Sequence, residues 1–406
     1  MFINKFFRSV KSSFTNIEFR LLERRANRYG YNLVTQKQLS DTEEVIENYF
    51  GTMYTKNALL SYIIYPFKCE IQNNHSNHRE CFTIAQILDE LGFKVDVINW
   101  NNTTFLPNKK YDLVIDNHNN LARLKDHFKQ DTRKIFHATN THWLYQNSVE
   151  YARYNEFFSK TGIAILPPRM MVPGDSAVYC DVISMFGNDF TKSTYGKYGN
   201  KVHNLPMSVT VEAEIIKERN YALARKKFVW LNSHGALLKG LDIVIDAFSK
   251  MPFLELHICG NVERDSPFIN AMSRQLSAAP NITIEGWVDS NSEKFKKLAT
   301  ECAWVINASF SEGGGGSTLN CMAKGLIPVI SKSSSITLPA KTGFYFENND
   351  TAAVVELLKT IIELRDDELK EMSLNAVDFI ATHHTLENFK SKYKDFLIEV
   401  TSLVNR

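Results

Sequence analysis

The amino-acid sequence predicts an α/β protein built on parallel, doubly wound sheets. Three observations carry that prediction. Short apolar strands alternate with amphipathic helices along most of the chain, the pattern of a parallel sheet covered on both faces. In the second half, Lys239, Gly260, Val288 and Glu312 each stand just past a predicted strand end, where such sheets hold ligands. Glu312 also opens a run of four glycines, Gly313, Gly314, Gly315 and Gly316, followed by Ser317, Thr318 and a helix carrying Asn320. A glycine-rich turn entering a helix presents backbone N–H groups at the positive end of the helix dipole, a seat for phosphate.

The chain begins with a basic stretch. Ile3, Phe6, Phe7, Val10, Phe14, Ile17 and Leu21 recur at helical spacing among seven Lys and Arg residues, from Lys5 to Arg28. Such a helix either lies on an anionic membrane surface or packs on the protein body or a second subunit. Residues 1–57 as a whole read as a helical N-terminal extension, with Glu43 to Phe50 a helical connector.

Residues 58–207 read as a first α/β domain. Leu60 to Phe67 is an apolar strand closed by Pro66, followed by a polar loop with Asn73, Asn74, His75, Asn77 and His78. A helix from Glu80 to Leu91 ends at Gly92, and strands follow at Lys94 to Trp100, Tyr111 to Asp116 and Arg133 to Ala138. The last of these opens into Thr139, Asn140, Thr141, His142 and Trp143. Asn147 to Arg169 reads as a helix lining a cleft, and Ala177 to Met185 as the last strand of this half.

Residues 225–385 repeat the theme. A strand at Phe228 to Leu231 leads through Asn232, Ser233, His234 and Gly235 to a Lys239-Gly240 pair and a helix. Further strands run from Leu254 to Gly260, Ile282 to Val288, Trp304 to Ala308 and Leu326 to Ser331. Helices at Thr351 to Leu364 and Glu368 to Ala381 cover this half, and a last helix begins at Leu386. Asp366-Asp367 sits in a charged helix and reads as a solvated face, so metal-dependent chemistry has no support.

Composition narrows the function. Hydrophobic residues make up 44% and charged residues 23%, enough for a substantial core, and 406 residues suit two domains or one large one. A net charge of +2 argues against a general nucleic-acid binder. Six cysteines without a CxxC pair read as reduced core residues of a cytosolic protein. No apolar run reaches the length of a transmembrane helix, and the N-terminus lacks a signal peptide's uncharged apolar centre.

Lys227 to Asp350 resembles the donor-binding half of a family 4 glycosyltransferase of the two-Rossmann-domain (GT-B) type. The likeness rests on Lys239-Gly240-Leu241-Asp242, the strand ending at Gly260, Glu285-Gly286-Trp287-Val288, and the block from Ser309 to Val329. It implies two Rossmann-like domains facing each other across a cleft, with residues 386–406 crossing back to the first domain. It also implies that Lys239 holds the donor diphosphate and that Glu312 contacts the donor sugar. The family's second glutamate, on the ribose, is Asn320 here, and its arginine five positions before the lysine is His234. On the acceptor side, a histidine after a strand reaches the sugar in that family. His137 and His142 are both candidates, with His142 better placed beyond the strand, and Asn74, His75, Asn77 and Asn140 are its neighbours on that side.

The expectation is a retaining, metal-independent glycosyltransferase acting in polysaccharide or glycoconjugate biosynthesis. It would use a nucleotide-diphosphate sugar, with no cofactor, and a glycan or lipid-linked acceptor. The protein is expected in the cytoplasm, with residues 1–30 a candidate contact for the inner membrane face. A nucleotide-sugar epimerase of the same fold and a catalytically weak, sugar-nucleotide-binding partner subunit are the alternatives.

Overall fold

Two sheets organise the protein, each a set of short apolar strands with helices on both faces. The computed structural model describes residues 42–69, 76–217, 219–261 and 265–402. The amphipathic stretch of residues 1–30, together with Asn74 and His75, lies outside the described residues.

The first sheet has seven strands in the order β1-β3-β2-β4-β5-β6-β7. They are β1 (Val45–Ile46), β2 (Lys56–Tyr62), β3 (Phe93–Asn99), β4 (Leu113–Asp116), β5 (Arg133–Ala138), β6 (Val182–Phe186) and β7 (Val202–Leu205). All pairs are parallel except β1 with β3. The second sheet has six parallel strands in the order β10-β9-β8-β11-β12-β13. They are β8 (Lys227–Leu231), β9 (Glu255–Cys259), β10 (Ile282–Gly286), β11 (Trp304–Asn307), β12 (Ile327–Ile330) and β13 (Phe344–Tyr345). From β8 the chain runs outward to β9 and β10, then returns to β11 on the other side of β8. The carboxyl ends of β8 and β11 therefore flank the switch point where a doubly wound sheet opens a crevice.

Several elements differ from the sequence reading. Residues 43–50 are not a helix: β1 adds an antiparallel edge strand to β3, fixed where Asn48 N donates to buried Asp96 Oδ1 at 2.9 Å. The strand expected over Leu60 to Phe67 ends at Tyr62. Pro66 instead sits in a 3-10 turn, Tyr65–Phe67, where a missing N–H costs nothing. Ala177 to Met185 divides into a helical turn, Ser176–Tyr179, and β6. The turn is tied down by Ser176 Oγ, which donates to Asp116 Oδ2 at 2.6 Å. The short strands β7 and β13 carry too few residues to show a period.

Helix α1 (Ser76–Glu90) starts one turn earlier than its apolar stripe. Helix α2 (Trp143–Thr161) also starts early and stops at Gly162, whose φ of 71° is left-handed, so Ile163 to Arg169 is not helical. Although α2 follows β5, its Tyr154 and Phe157 pack in the core of the second sheet with Phe248 and Phe268. Arg153 of α2 donates to both carboxylate oxygens of Asp242, at 2.7 and 2.6 Å, at the head of α3 (Leu241–Ser249). One helix thus joins the two halves. The last helix, Leu386–Ser402, returns to the first sheet, with Phe389, Tyr393 and Phe396 in the core beside Tyr62 and Phe186.

Between the halves, Ser208 N donates to buried Glu80 Oε1 at 2.7 Å. Farther along, the guanidinium of Arg219 is buried against the carbonyls of Ala299, Lys324 and Gly325 and the hydroxyl of Ser373. Five of the six cysteines are buried and Cys69 is exposed; all are free thiols. Among the described residues no helix is long and apolar enough to cross a membrane.

Candidate functional site

At the switch point of the second sheet lies a recess of about 340 Å³. Its walls are Asn232 and Ser233 after β8, Asn307 at the end of β11, Lys239, Glu312, Gly315 to Thr318, and Arg169 reaching over from the first half.

Lys239 is carried by the turn after β8. Gly240 makes that turn possible: its φ is +66°, and a Cβ there would lie 2.3 Å from the carbonyl oxygen of Ala308. The turn therefore presses directly on the end of β11, which sets the ammonium beside the glycine loop. Lys239 Nζ lies 2.6 Å from Glu312 Oε1. Burial pulls the Lys239 pKa down to about 8, while the Glu312 carboxylate opposes that shift.

Helix α4 (Gly316–Ala323) begins at this recess, with its free N–H groups turned toward it. The glycines before it serve packing more than ligand approach. A Cβ on Gly313 would fall 1.7 Å from the carbonyl oxygen of Thr139, and one on Gly315 would strike Ile336. Thr139 belongs to the first half, so the loop is thin because another backbone lies against it. Hydroxyls seal the same seam: Thr141 Oγ1 and Ser311 Oγ are 2.6 Å apart, and Ser311 Oγ donates to Gln146 Oε1 at 3.1 Å.

The recess contains buried polar atoms without a hydrogen-bond partner among the described residues. They are Asn232 Nδ2, Asn307 Oδ1 and Arg169 Nε, with Glu312 Oε1 engaged only by its ion pair. Buried orphans of this kind call for an explanation, and a polar ligand supplies one. Ser317 lines the wall, and Thr318 accepts a hydrogen bond from Asn307 Nδ2 at 3.3 Å.

Other expected donor residues stand apart from this recess. Asn320 uses its amide internally, accepting from Thr210 N at 3.0 Å and donating to Thr210 Oγ1 at 2.9 Å and Ser290 Oγ at 3.2 Å. Val288 packs in the core with Leu231 and Phe295. Gly260 closes β9, its N–H donated to Gly286 O. His234 offers its carbonyl to Arg169, and Gly235 N donates to Asp265 Oδ1 at 2.9 Å.

In the first half the two histidines separate. His137 is fully buried, bonded to Ser184 Oγ and ringed by Tyr62, Phe186 and Tyr393. Burial drives its pKa down to about 3, so it is a neutral core residue. His142 caps α2 by accepting from Leu144 N through Nδ1, which leaves Nε2 to carry the proton of the neutral ring. It lines a second recess with Asn117, His118, Trp143, Met171 and Val172. Asn140 touches the glycine loop beside Gly313, and Asn77 stands in the first turn of α1.

Sequence reasoning overlooked Asn232, Asn307 and Arg169. The two asparagines carried a readable signal, each being the first polar residue at the end of an apolar strand. Arg169 carried none, because only the fold brings it over the turn at Gly235.

A family model described as "Glycosyl transferases group 1" matches residues 225–364. No curated protein sequence matches the chain. Similar solved structures include a glycosyltransferase from Rickettsia africae, with TM-score 0.55 and 13% identity over 86% of this chain and 99% of that one. Sucrose-phosphate synthase from Thermosynechococcus elongatus gives TM-score 0.56 and 12% identity, over 86% and 99%. The Anabaena protein Alr3699/HepE in complex with UDP and glucose gives 0.53 and 10%, over 84% and 99%. Residues 225–364 are thus similar to the group 1 glycosyl transferases, and the chain shares the two-domain GT-B fold of those structures.

Proposed function

We propose that this protein transfers a sugar from a nucleoside-diphosphate donor to a glycan or lipid-linked acceptor, with retention of configuration and without a metal. The observation that carries the reading is the buried Lys239–Glu312 pair at the head of α4, beside the unpartnered Asn232 Nδ2 and Asn307 Oδ1. As the sugar leaves, negative charge builds on the diphosphate. Lys239, itself almost fully buried, and the N–H groups opening α4 face that charge, and burial strengthens such contacts. Glu312 orients the sugar hydroxyls. The second recess, with His142, receives the acceptor. UDP is the first nucleotide to try, since the Anabaena structure holds UDP and glucose.

A panel of nucleotide sugars, with free nucleoside diphosphate as readout, tests this. Release that requires an acceptor supports transfer. Binding without release under any acceptor supports the second reading, a donor-binding subunit of low activity, which the internal engagement of Asn320 favours. We assign residues 1–30 to an anionic membrane surface at the cytoplasmic face. Loss of anionic-vesicle binding on deleting them, with transfer to a soluble acceptor kept, is the expected result.

A further inference from the structure

We propose that Arg169 is a second diphosphate-binding cation, so that the donor site is completed by a residue of the acceptor half. The proposal rests on the donor reading above and names a residue it did not include.

Arg169 shares the recess with Lys239 and Glu312. Its stem passes over Gly235, where a Cβ would lie 2.3 Å from Arg169 Cδ and 2.8 Å from Cγ. Only a glycine admits the arm at that point. The guanidinium is poorly satisfied by protein. Nη1 reaches Ser233 Oγ at 3.4 Å and His234 O at 3.5 Å, both at the long limit, and buried Nε has no partner among the described residues. Among those residues no carboxylate forms an ion pair with it, whereas Lys239 has Glu312. Glu150 acts on the guanidinium only short of ion-pair contact, and a half-buried guanidinium without a close counter-ion is costly unless a ligand supplies the charge.

The arm is also aimed. Arg169 N donates to Glu150 Oε1 at 2.6 Å, and Arg169 O accepts from Gln146 Nε2 at 2.7 Å. Glu150 and Gln146 are both buried on α2. Gln146 also accepts from Ser311 in the second half, so the contact that places Arg169 is the contact that closes the seam. A lone arginine packed for structure has no need of such a mount over an anion recess. Its planar fork suits a diphosphate, which can take two parallel N–H bonds from it.

Titration of the full chain with UDP, GDP and ADP tests this, using whichever binds tightest. Arg169→Ala should weaken that nucleoside diphosphate on the order of 10-fold or more, with an unchanged melting temperature in the absence of ligand. Arg169→Lys should recover part of the loss, and millimolar guanidinium ion should partly rescue the alanine variant but leave the parent unaffected. If Arg169→Ala binds as the parent does while Lys239→Ala does not, the donor site stands and the role of Arg169 is wrong. If the parent binds none of the three, the donor reading and this proposal fall together.

Discussion

Lys239 Nζ and Glu312 Oε1 lie 2.6 Å apart, and their side chains expose only 4% and 13% of their surface. An acid and a base buried as a pair at the mouth of the proposed phosphate seat could each exchange its partner for substrate. The diphosphate can take the ammonium, and the sugar hydroxyls can take the carboxylate.

Lys239→Ala should therefore lower turnover on the order of 10²-fold or more, because the departing diphosphate loses its buried counter-charge. It also strands the Glu312 carboxylate, so the variant should melt lower than the parent. Near-normal nucleotide release from a folded variant would mean that the phosphates lie elsewhere.

The same pair sets a pH dependence. Burial, reinforced by Arg169, lowers the Lys239 pKa to about 8, with Glu312 and Glu150 pulling the other way. Affinity for a nucleoside diphosphate should be level below that pH and fall above it, as the ammonium loses its charge. Stability runs oppositely. The folded pKa is below the ordinary 10.5, so between about 8 and 10.5 the unfolded chain holds more protons. Folding therefore gains as pH rises through that window. Calorimetric titrations and melts across the window check both signs, and a level affinity profile would remove Lys239 from the phosphates.

His137→Ala and His142→Ala should part company. Removing the His137 ring empties space among Tyr62, Phe186 and Tyr393, at a cost of about 2–5 kcal/mol seen as a lower melting temperature. His142→Ala should keep nucleotide affinity and depress transfer, since it faces the recess of the first half. Equal loss of donor affinity in both variants would deny His142 an acceptor-side role.

Asn320→Ala removes bonds to Thr210 and Ser290, about 1 kcal/mol each. The expected outcome is a lower melting temperature with nucleotide affinity within about twofold. A loss of affinity above tenfold would return Asn320 to the ribose.

Most of the second sheet was readable because its longer strands are apolar runs followed, a few residues on, by marked residues such as Lys239 and Glu312. Lys239 and Glu312, which the resemblance singled out for separate contacts, lie side by side at the end of that sheet. Other misreadings share one cause: the deciding partner is distant in sequence. Val45–Ile46 is a strand because β3 offers an edge and Asp96 offers an acceptor. His137 reads in sequence as a candidate for the acceptor side, and only the packing of β6 and the last helix over it shows it to be core. Arg169 and Glu150 become a unit only when α2 folds beside the segment that follows it.

The contact of Gly313 with Thr139 has a mechanical consequence. Two backbones that touch with no side chain between them leave no slack, so neither can be displaced alone. Any displacement of the glycine loop has to carry Thr139 with it, together with the Thr141–Ser311 contact in the same seam.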